Sequence, residues 1–108
     1  VRKFPLSAGG SDMRTLFIVL ETIHDPAGFD EYRKLVMPTL AAFGGKFLVR
    51  GGSFNVIEGS WPHERVAIVE FASRATAEAW YSSAAYQKIL PLRLKSMTSS
   101  AIMIDAID

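Results

Sequence analysis

The 108-residue sequence contains no cysteine. That absence excludes disulfides, a thiol nucleophile and thiolate metal sites, and it suits a reducing compartment, so a cytoplasmic location is expected. Net charge is nearly absent as well: twelve Lys and Arg against eleven Asp and Glu leave +1, too little to attract nucleic acid or an anionic membrane. The longest uninterrupted apolar run, Leu16 to Leu20, is far too short to span a bilayer, and the N-terminus has no signal-peptide core. Only two histidines occur, His24 and His63, and neither has an acidic or histidine partner at ligand spacing, so no metal is expected. No phosphate loop, nucleotide fingerprint or Ser/His/Asp pattern is present, and no cofactor is expected.

What the chain does have is hydrophobic content, 49% of residues, enough for the core of one domain. Residues 1–13 carry Pro, Gly and Ser without periodicity and read as an N-terminal extension, and 14–108 read as the single domain. "TLFIVLETI" (Thr15 to Ile23) is short and β-rich. Asp25 as N-cap and Pro26 at the first helical position open a helix that the Gly44-Gly45 pair stops, with Phe29, Tyr32, Val36, Leu40 and Phe43 on one stripe and a kink expected at Pro38. "KFLVRGGSFNVIEG" is a second strand with a bulge expected at Gly51-Gly52. A short turn, "GSWPH", joins it to "ERVAIVEF". One helix, "SRATAEAWYSSAAYQKIL", is capped by Ser73, and "SSAIMIDAI" is the last strand.

The order β-α-β-β-α-β predicts an α+β, ferredoxin-like fold: a four-stranded antiparallel sheet with two helices on one face. Strands one and three are expected at its centre, parallel to each other. Charged residues, taken as markers of the bare face, put Phe17, Val19 and Glu21, Val66, Ile68 and Glu70, Leu48 and Arg50, and Ala101, Met103 and Asp105 there. The complementary residues then face the helices. Both faces come out apolar, and two bare faces of that kind are expected to pack together in a homodimer.

On this assignment Arg50 sits opposite Glu70 with Glu21 one step away. Two readings stay open. One is a cross-strand ion pair at the rim of the dimer contact. The other is a pocket floor in which Arg50 holds a ligand carboxylate, enolate or carbonyl oxygen and Glu70 accepts or orients a proton. His24, at the loop after strand one, is a further candidate base. Trp61, odd in a hairpin turn, reads as an interface anchor or a lid, and Tyr32 as a phenol that could orient a ligand with its tip at water. RNA binding is excluded on strand three, where the base-stacking positions of an RNA-recognition domain are Val66 and Ile68.

The stretches Phe43 to Gly52, Val56 to Phe71 and Ala77 to Arg93, with their Arg-Gly-Gly, Glu-Gly-x-Trp and Trp-Tyr/Tyr-Gln signatures, closely resemble the domain-of-unknown-function 1330 family of the dimeric α/β-barrel superfamily. The resemblance covers roughly residues 14 to 107. The chain departs from it at Ser82 to Tyr86, where relatives usually carry an Asn/Asp-Ser-Pro-Glu-Tyr turn. The resemblance implies a ferredoxin-like protomer that dimerises through its sheets, and it implies no activity. Related families include cofactor-independent monooxygenases, lactone isomerases and haem-using enzymes, and fold alone does not choose among them. Three functions are therefore weighed. The first is a cofactor-independent enzyme acting on a small acidic or aromatic metabolite, with Arg50 holding an oxygen and Glu70 or His24 moving a proton. The others are a ligand-binding dimer without turnover and a haem protein using His24.

Overall fold

The computed structural model describes residues 13–107, so all of the expected N-terminal extension except Met13 lies outside the described residues. The elements are β1 (Thr15–Ile23), α1 (Pro26–Ala41), β2 (Lys46–Arg50), β3 (Arg65–Phe71), α2 (Arg74–Ser82), α3 (Ala84–Ser96) and β4 (Met97–Asp105). The sheet order is β2-β3-β1-β4 and every neighbouring pair is antiparallel. The ferredoxin-like expectation holds, and so do the central positions of β1 and β3. Those two strands are antiparallel, however, because the hairpin-type return from β2 reverses β3 relative to β1. No helix among the described residues is long and apolar enough to cross a membrane.

Local chemistry explains the helix ends. The Asp25 carboxylate accepts from the Gly28 N–H at 3.2 Å, and Pro26 needs no partner at the first position. α1 runs through Pro38 and stops where Gly44 turns left-handed (φ +70) and the Gly45 N–H bonds the Leu40 carbonyl at 2.9 Å. The second helical segment is two helices instead of one. Ser83, extended at ψ 148, accepts from the Tyr86 N–H and donates to the Trp80 carbonyl at 2.7 Å, so it ends α2 and caps α3. A serine hydroxyl that can serve the backbone on both sides competes with a continuous helix. The break seats Tyr86 against Trp80, ring centroids 4.1 Å apart.

β2 ends at Arg50, and its irregularity falls between Phe47 and Val49 instead of at the glycine pair. The connection to β3 therefore runs over 51–64, longer than the short turn expected. This bulge changes which way every later β2 side chain points. Phe47 packs against the core, Leu48 is the extra residue, Val49 faces the bare side and Arg50 returns to the helix side.

The sheet faces follow the expectation on β3 and reverse it on β1 and β4. Thr15, Phe17, Val19 and Glu21 are buried beneath the helices, while Leu16, Ile18 and Leu20 share the bare face with Val66 and Ile68. On β4, Ile102 and Ile104 lie across from Ile18 and Leu16 and are exposed, and Met103 packs into the core. Charge misleads as a marker here because both acids are held on the covered side by arginines. Glu21 pairs with Arg65, its direct neighbour across the ladder, and Asp105 pairs with Arg74 at 2.7 Å. The core centres on Trp80, Tyr86, Phe71 and Leu40. Both faces are apolar, as expected.

Candidate functional site

Between the covered face of the sheet and α1 lies a cleft of about 50 Å3, several times the volume one water needs. Phe17 and Val19 of β1 and Ala67 and Val69 of β3 make its floor, and the small Ala67 leaves room that a larger side chain would fill. Phe29, Tyr32 and Val36 of α1 form one wall, with Trp80 of α2 and Arg93 of α3 behind them. Arg33, Met37 and Arg50 border the exposed mouth.

Among the described residues, four arginines and one carboxylate line this apolar space. Glu21 and Arg65 neutralise each other, and the Arg65 guanidinium also lies over the Phe29 ring at 4.8 Å. Arg33 pairs with Asp30 at 2.8 Å. Arg50 stands over Phe47 at 4.4 Å with a nitrogen 3.6 Å from the Met37 sulfur, and among the described residues it has no carboxylate partner. Arg93 is only 3% exposed and has no carboxylate partner there either. Its Nε donates to the Tyr86 hydroxyl at 3.1 Å and its Nη1 to Ser99 Oγ at 3.1 Å.

The Glu21–Arg65 pair depends on Gly51. That residue is left-handed (φ +71), and a Cβ there would collide with the Arg65 guanidinium, its central carbon lying 2.8 Å away. Gly51→Ala is expected to cost about 1–3 kcal/mol from backbone strain alone, and to push Arg65 off Glu21. A chemical-denaturation midpoint indistinguishable from wild type would refute this.

Behind the wall run two separate sets of hydrogen bonds. Tyr32 Oη and Tyr86 Oη are 2.8 Å apart, and Trp80 Nε1 donates at 3.1 Å to Thr39 Oγ1, which donates to the Val36 carbonyl. Burial pushes the Tyr32 phenol well above the usual tyrosine range, and Tyr86 adds to the shift. Burial raises Tyr86 too, with Arg93 opposing. For Arg93 burial works against the charge, but the adjoining Tyr86 and Tyr32 phenols outweigh it and raise the guanidinium further, so it is charged. Above about pH 10 the unfolded chain releases both phenolic protons while the folded chain keeps them. Stability due to these groups is therefore complete below that pH and falls as pH rises through it, by about 1.4 kcal/mol per proton per pH unit. Denaturation midpoints between pH 8 and 11 should show the fall, and Tyr32→Phe should flatten it. An equally steep fall in the variant would contradict the assignment.

The expected site residues are divided between two sides of the sheet. Arg50, Glu21 and Tyr32 meet at the cleft. Glu70 points to the other side, where it pairs with Arg14 at 2.7 Å and lies opposite Lys46 in the ladder. Arg50 lies opposite Ala67, so the Arg50–Glu70 pair does not form. The bulge at Leu48 is the reason. His24 is outside the cleft, its Nε2 2.9 Å from Thr98 Oγ1, and His63 Nδ1 is 3.1 Å from Thr22 Oγ1. Trp61 lies tilted against Phe54, centroids 6.0 Å apart, in an open hollow of about 590 Å3 that the 51–64 connection forms over the bare face with Ile18 and Ile68. Tyr32 is buried rather than tipped toward water. Arg65, Tyr86 and Arg93 are the residues that sequence reasoning missed. Arg93 left a signal, for it continues the Tyr86, Ile89, Leu90 stripe at helical spacing, a charge on an otherwise buried face.

Among the described residues no group of three or more His, Asp or Glu side chains could hold a metal ion. No protein of curated function matches the chain. Solved structures do. A protein of unknown function from Rhodopseudomonas palustris, RPA0582, is 16% identical with a TM-score of 0.75, over 93% of this chain and 88% of that one. A dimeric ferredoxin-like protein of unknown function from Jannaschia sp. CCS1 is 12% identical with a TM-score of 0.66, over 86% and 99%. SnoaB, a cofactor-independent oxygenase from Streptomyces nogalater, is 15% identical with a TM-score of 0.57, over 89% and 95%. These likenesses establish the fold, and the sequence itself establishes more: its residues 14–107 match the model of the domain of unknown function DUF1330, and the chain belongs to that family.

Proposed function

We propose that the protein is a cytoplasmic homodimer that binds a small acidic or aromatic metabolite in the cleft and performs cofactor-independent acid–base chemistry on it. The observation that carries this reading is Arg93, a charged side chain buried at the wall of an aromatic cleft with no carboxylate beside it among the described residues. An uncompensated buried guanidinium is costly, and an anionic ligand would offset that cost. The cleft's aromatic walls suit a planar molecule, and Arg50 at the mouth adds attraction for the same charge. Glu21 is the one carboxylate at the cleft among the described residues and takes the role of proton acceptor, since Glu70 and His24 are elsewhere. His24 lines neither hollow, so the haem reading loses the axial histidine it was built on. The likeness to SnoaB, named as a cofactor-independent oxygenase, is compatible with chemistry of this type.

A second reading, binding without turnover, is favoured by the pairing of Glu21 with Arg65, which weakens Glu21 as a base. Pyruvate, a small enolisable acid, separates the two. Calorimetry should detect its binding, and Arg93→Met should weaken it by roughly 10- to 150-fold, the value of hydrogen bonds to a charged group, without unfolding the protein. Turnover predicts that the protein accelerates exchange of pyruvate's methyl protons in D2O, followed by NMR, and that Glu21→Gln abolishes the acceleration. Binding without any such exchange would favour the second reading.

The homodimer is proposed to form through the bare sheet face. Leu16, Ile18, Ile68, Ile102 and Ile104 form a continuous apolar surface there, and two of the solved structures of this fold are described as dimeric.

A further inference from the structure

Hydrogen-bond saturation fixes the direction of the chain that ends at Tyr32. Tyr86 is fully buried, and its oxygen accepts from Arg93 Nε. Guanidinium nitrogens only donate, so the Tyr86 proton cannot go back to Arg93. Among the described residues its one remaining acceptor is Tyr32 Oη, 2.8 Å away. The opposite orientation, Tyr32 donating to Tyr86, would seal the spare proton on Tyr86, away from the cleft, whereas this one places it on Tyr32, which borders the cleft where water or a ligand can accept it. The order is therefore Arg93 to Tyr86 to Tyr32, each link donating to the next. The last proton in the series, that of Tyr32, has no acceptor among the described residues, and Tyr32 lines the cleft. Arg93 Nη2 is likewise without a hydrogen-bond partner among them.

We infer that Tyr32 donates its hydroxyl proton in a hydrogen bond to a carbonyl, enolate or carboxylate oxygen of the ligand, and that Tyr86 and Arg93 polarise and aim that donor. This rests on the reading that the cleft binds a small anion, and it says which atom meets the ligand's oxygen. A cationic end strengthens each successive bond in such a chain. A donor of this kind stabilises charge building up on oxygen as an enolate forms, and it is held in place before the ligand arrives. Tyr32 is thus the residue that touches ligand, and Tyr86 is a positioning residue that acts through it.

The infrared stretch of the pyruvate ketone reports directly on a hydrogen bond to its oxygen. With 13C-labelled pyruvate bound to the wild-type protein, that band should move to lower wavenumber than in water. In Tyr32→Phe the shift should vanish and affinity should fall about tenfold. In Tyr86→Phe the shift should shrink while the ligand still binds, a change that mere loosening of the core would not produce. Near-UV circular dichroism confirms folding of each variant. If pyruvate binds, Arg93→Met weakens it and Tyr32→Phe changes neither band nor affinity, the inference is overturned and the anion-binding cleft stands. If the wild-type protein binds neither pyruvate nor benzoate, the cleft reading fails and the inference with it.

Discussion

Replacing Trp80 with alanine is expected to lower the free energy of unfolding by about 3–5 kcal/mol, the range for removing a large aromatic from a well-packed core. Trp80 is 1% exposed, and its ring lies against four others: Tyr86 at 4.1 Å, Phe17 at 5.3 Å, Phe71 at 5.4 Å and Tyr81 at 6.0 Å between centroids. Alanine leaves a void bounded by β1, β3 and α3 at once, so no single side chain can move in to fill it. The Thr39 hydroxyl loses a donor but keeps its own bond to the Val36 carbonyl, so the polar part of the loss is small beside the packing part. Domains of this size hold about 5–15 kcal/mol in total. The variant should therefore be partly unfolded near its growth temperature or melt far below wild type. Urea denaturation followed by circular dichroism measures the loss. Trp80→Phe, which keeps an aromatic ring in the same space, should lose less than half as much. A loss below about 1 kcal/mol for alanine would mean that the helices do not close on the sheet around this residue.

The parts of the fold that sequence made legible are those governed by local chemistry. Asp25 and Pro26, Gly44 and Gly45, and Ser73 each act on the backbone within a few residues, and the helix ends lie where they put them. What was not legible depends on partners distant in the chain. Glu21 looks like a surface residue until Arg65, 44 positions away, is placed beside it. Asp105 looks exposed until Arg74 reaches it from the start of α2. With both acids held under the helices, the faces of β1 and β4 exchange places, because a strand's period of two turns one wrong residue into a wrong strand. The same sensitivity explains Arg50. A bulge two residues before it, at Leu48, returned its side chain to the covered face and parted it from Glu70. Aliphatic strands gave no help, since Leu16, Ile18 and Leu20 are as apolar as the residues between them. The doubling of apolar faces was legible for that very reason, and it needed no knowledge of which face was which.

That doubling supports the second large effect. Ile18→Lys is expected to convert a dimer into a monomer without weakening the protomer's core. Ile18 lies on the central strand β1 with Ile68 of β3 and Ile102 of β4 directly across from it, so it occupies the middle of the bare face. In a two-fold dimer each substitution appears twice, and the axis that makes the contact self-complementary brings the two lysines toward one another. Each buried ammonium without a partner would cost several kcal/mol, and each 1.4 kcal/mol is a tenfold change in affinity. Association should then fall by at least about a thousandfold, a dimer at micromolar concentration becoming monomer in sedimentation or light-scattering measurements. In the monomer the face is in contact with water, where lysine is tolerated, so thermal unfolding should lose little beyond what dissociation itself removes. Glu31→Lys, on the exposed side of α1, adds charge of the same sign on the opposite layer and should leave the dimer intact. A dimer that survives Ile18→Lys would have its contact on another surface. A wild-type protein that is monomeric at these concentrations would leave the apolar residues of the bare face and of the connection above it, Ile102 at 54% exposure and Ile57 at 84%, to be covered by something other than a second copy.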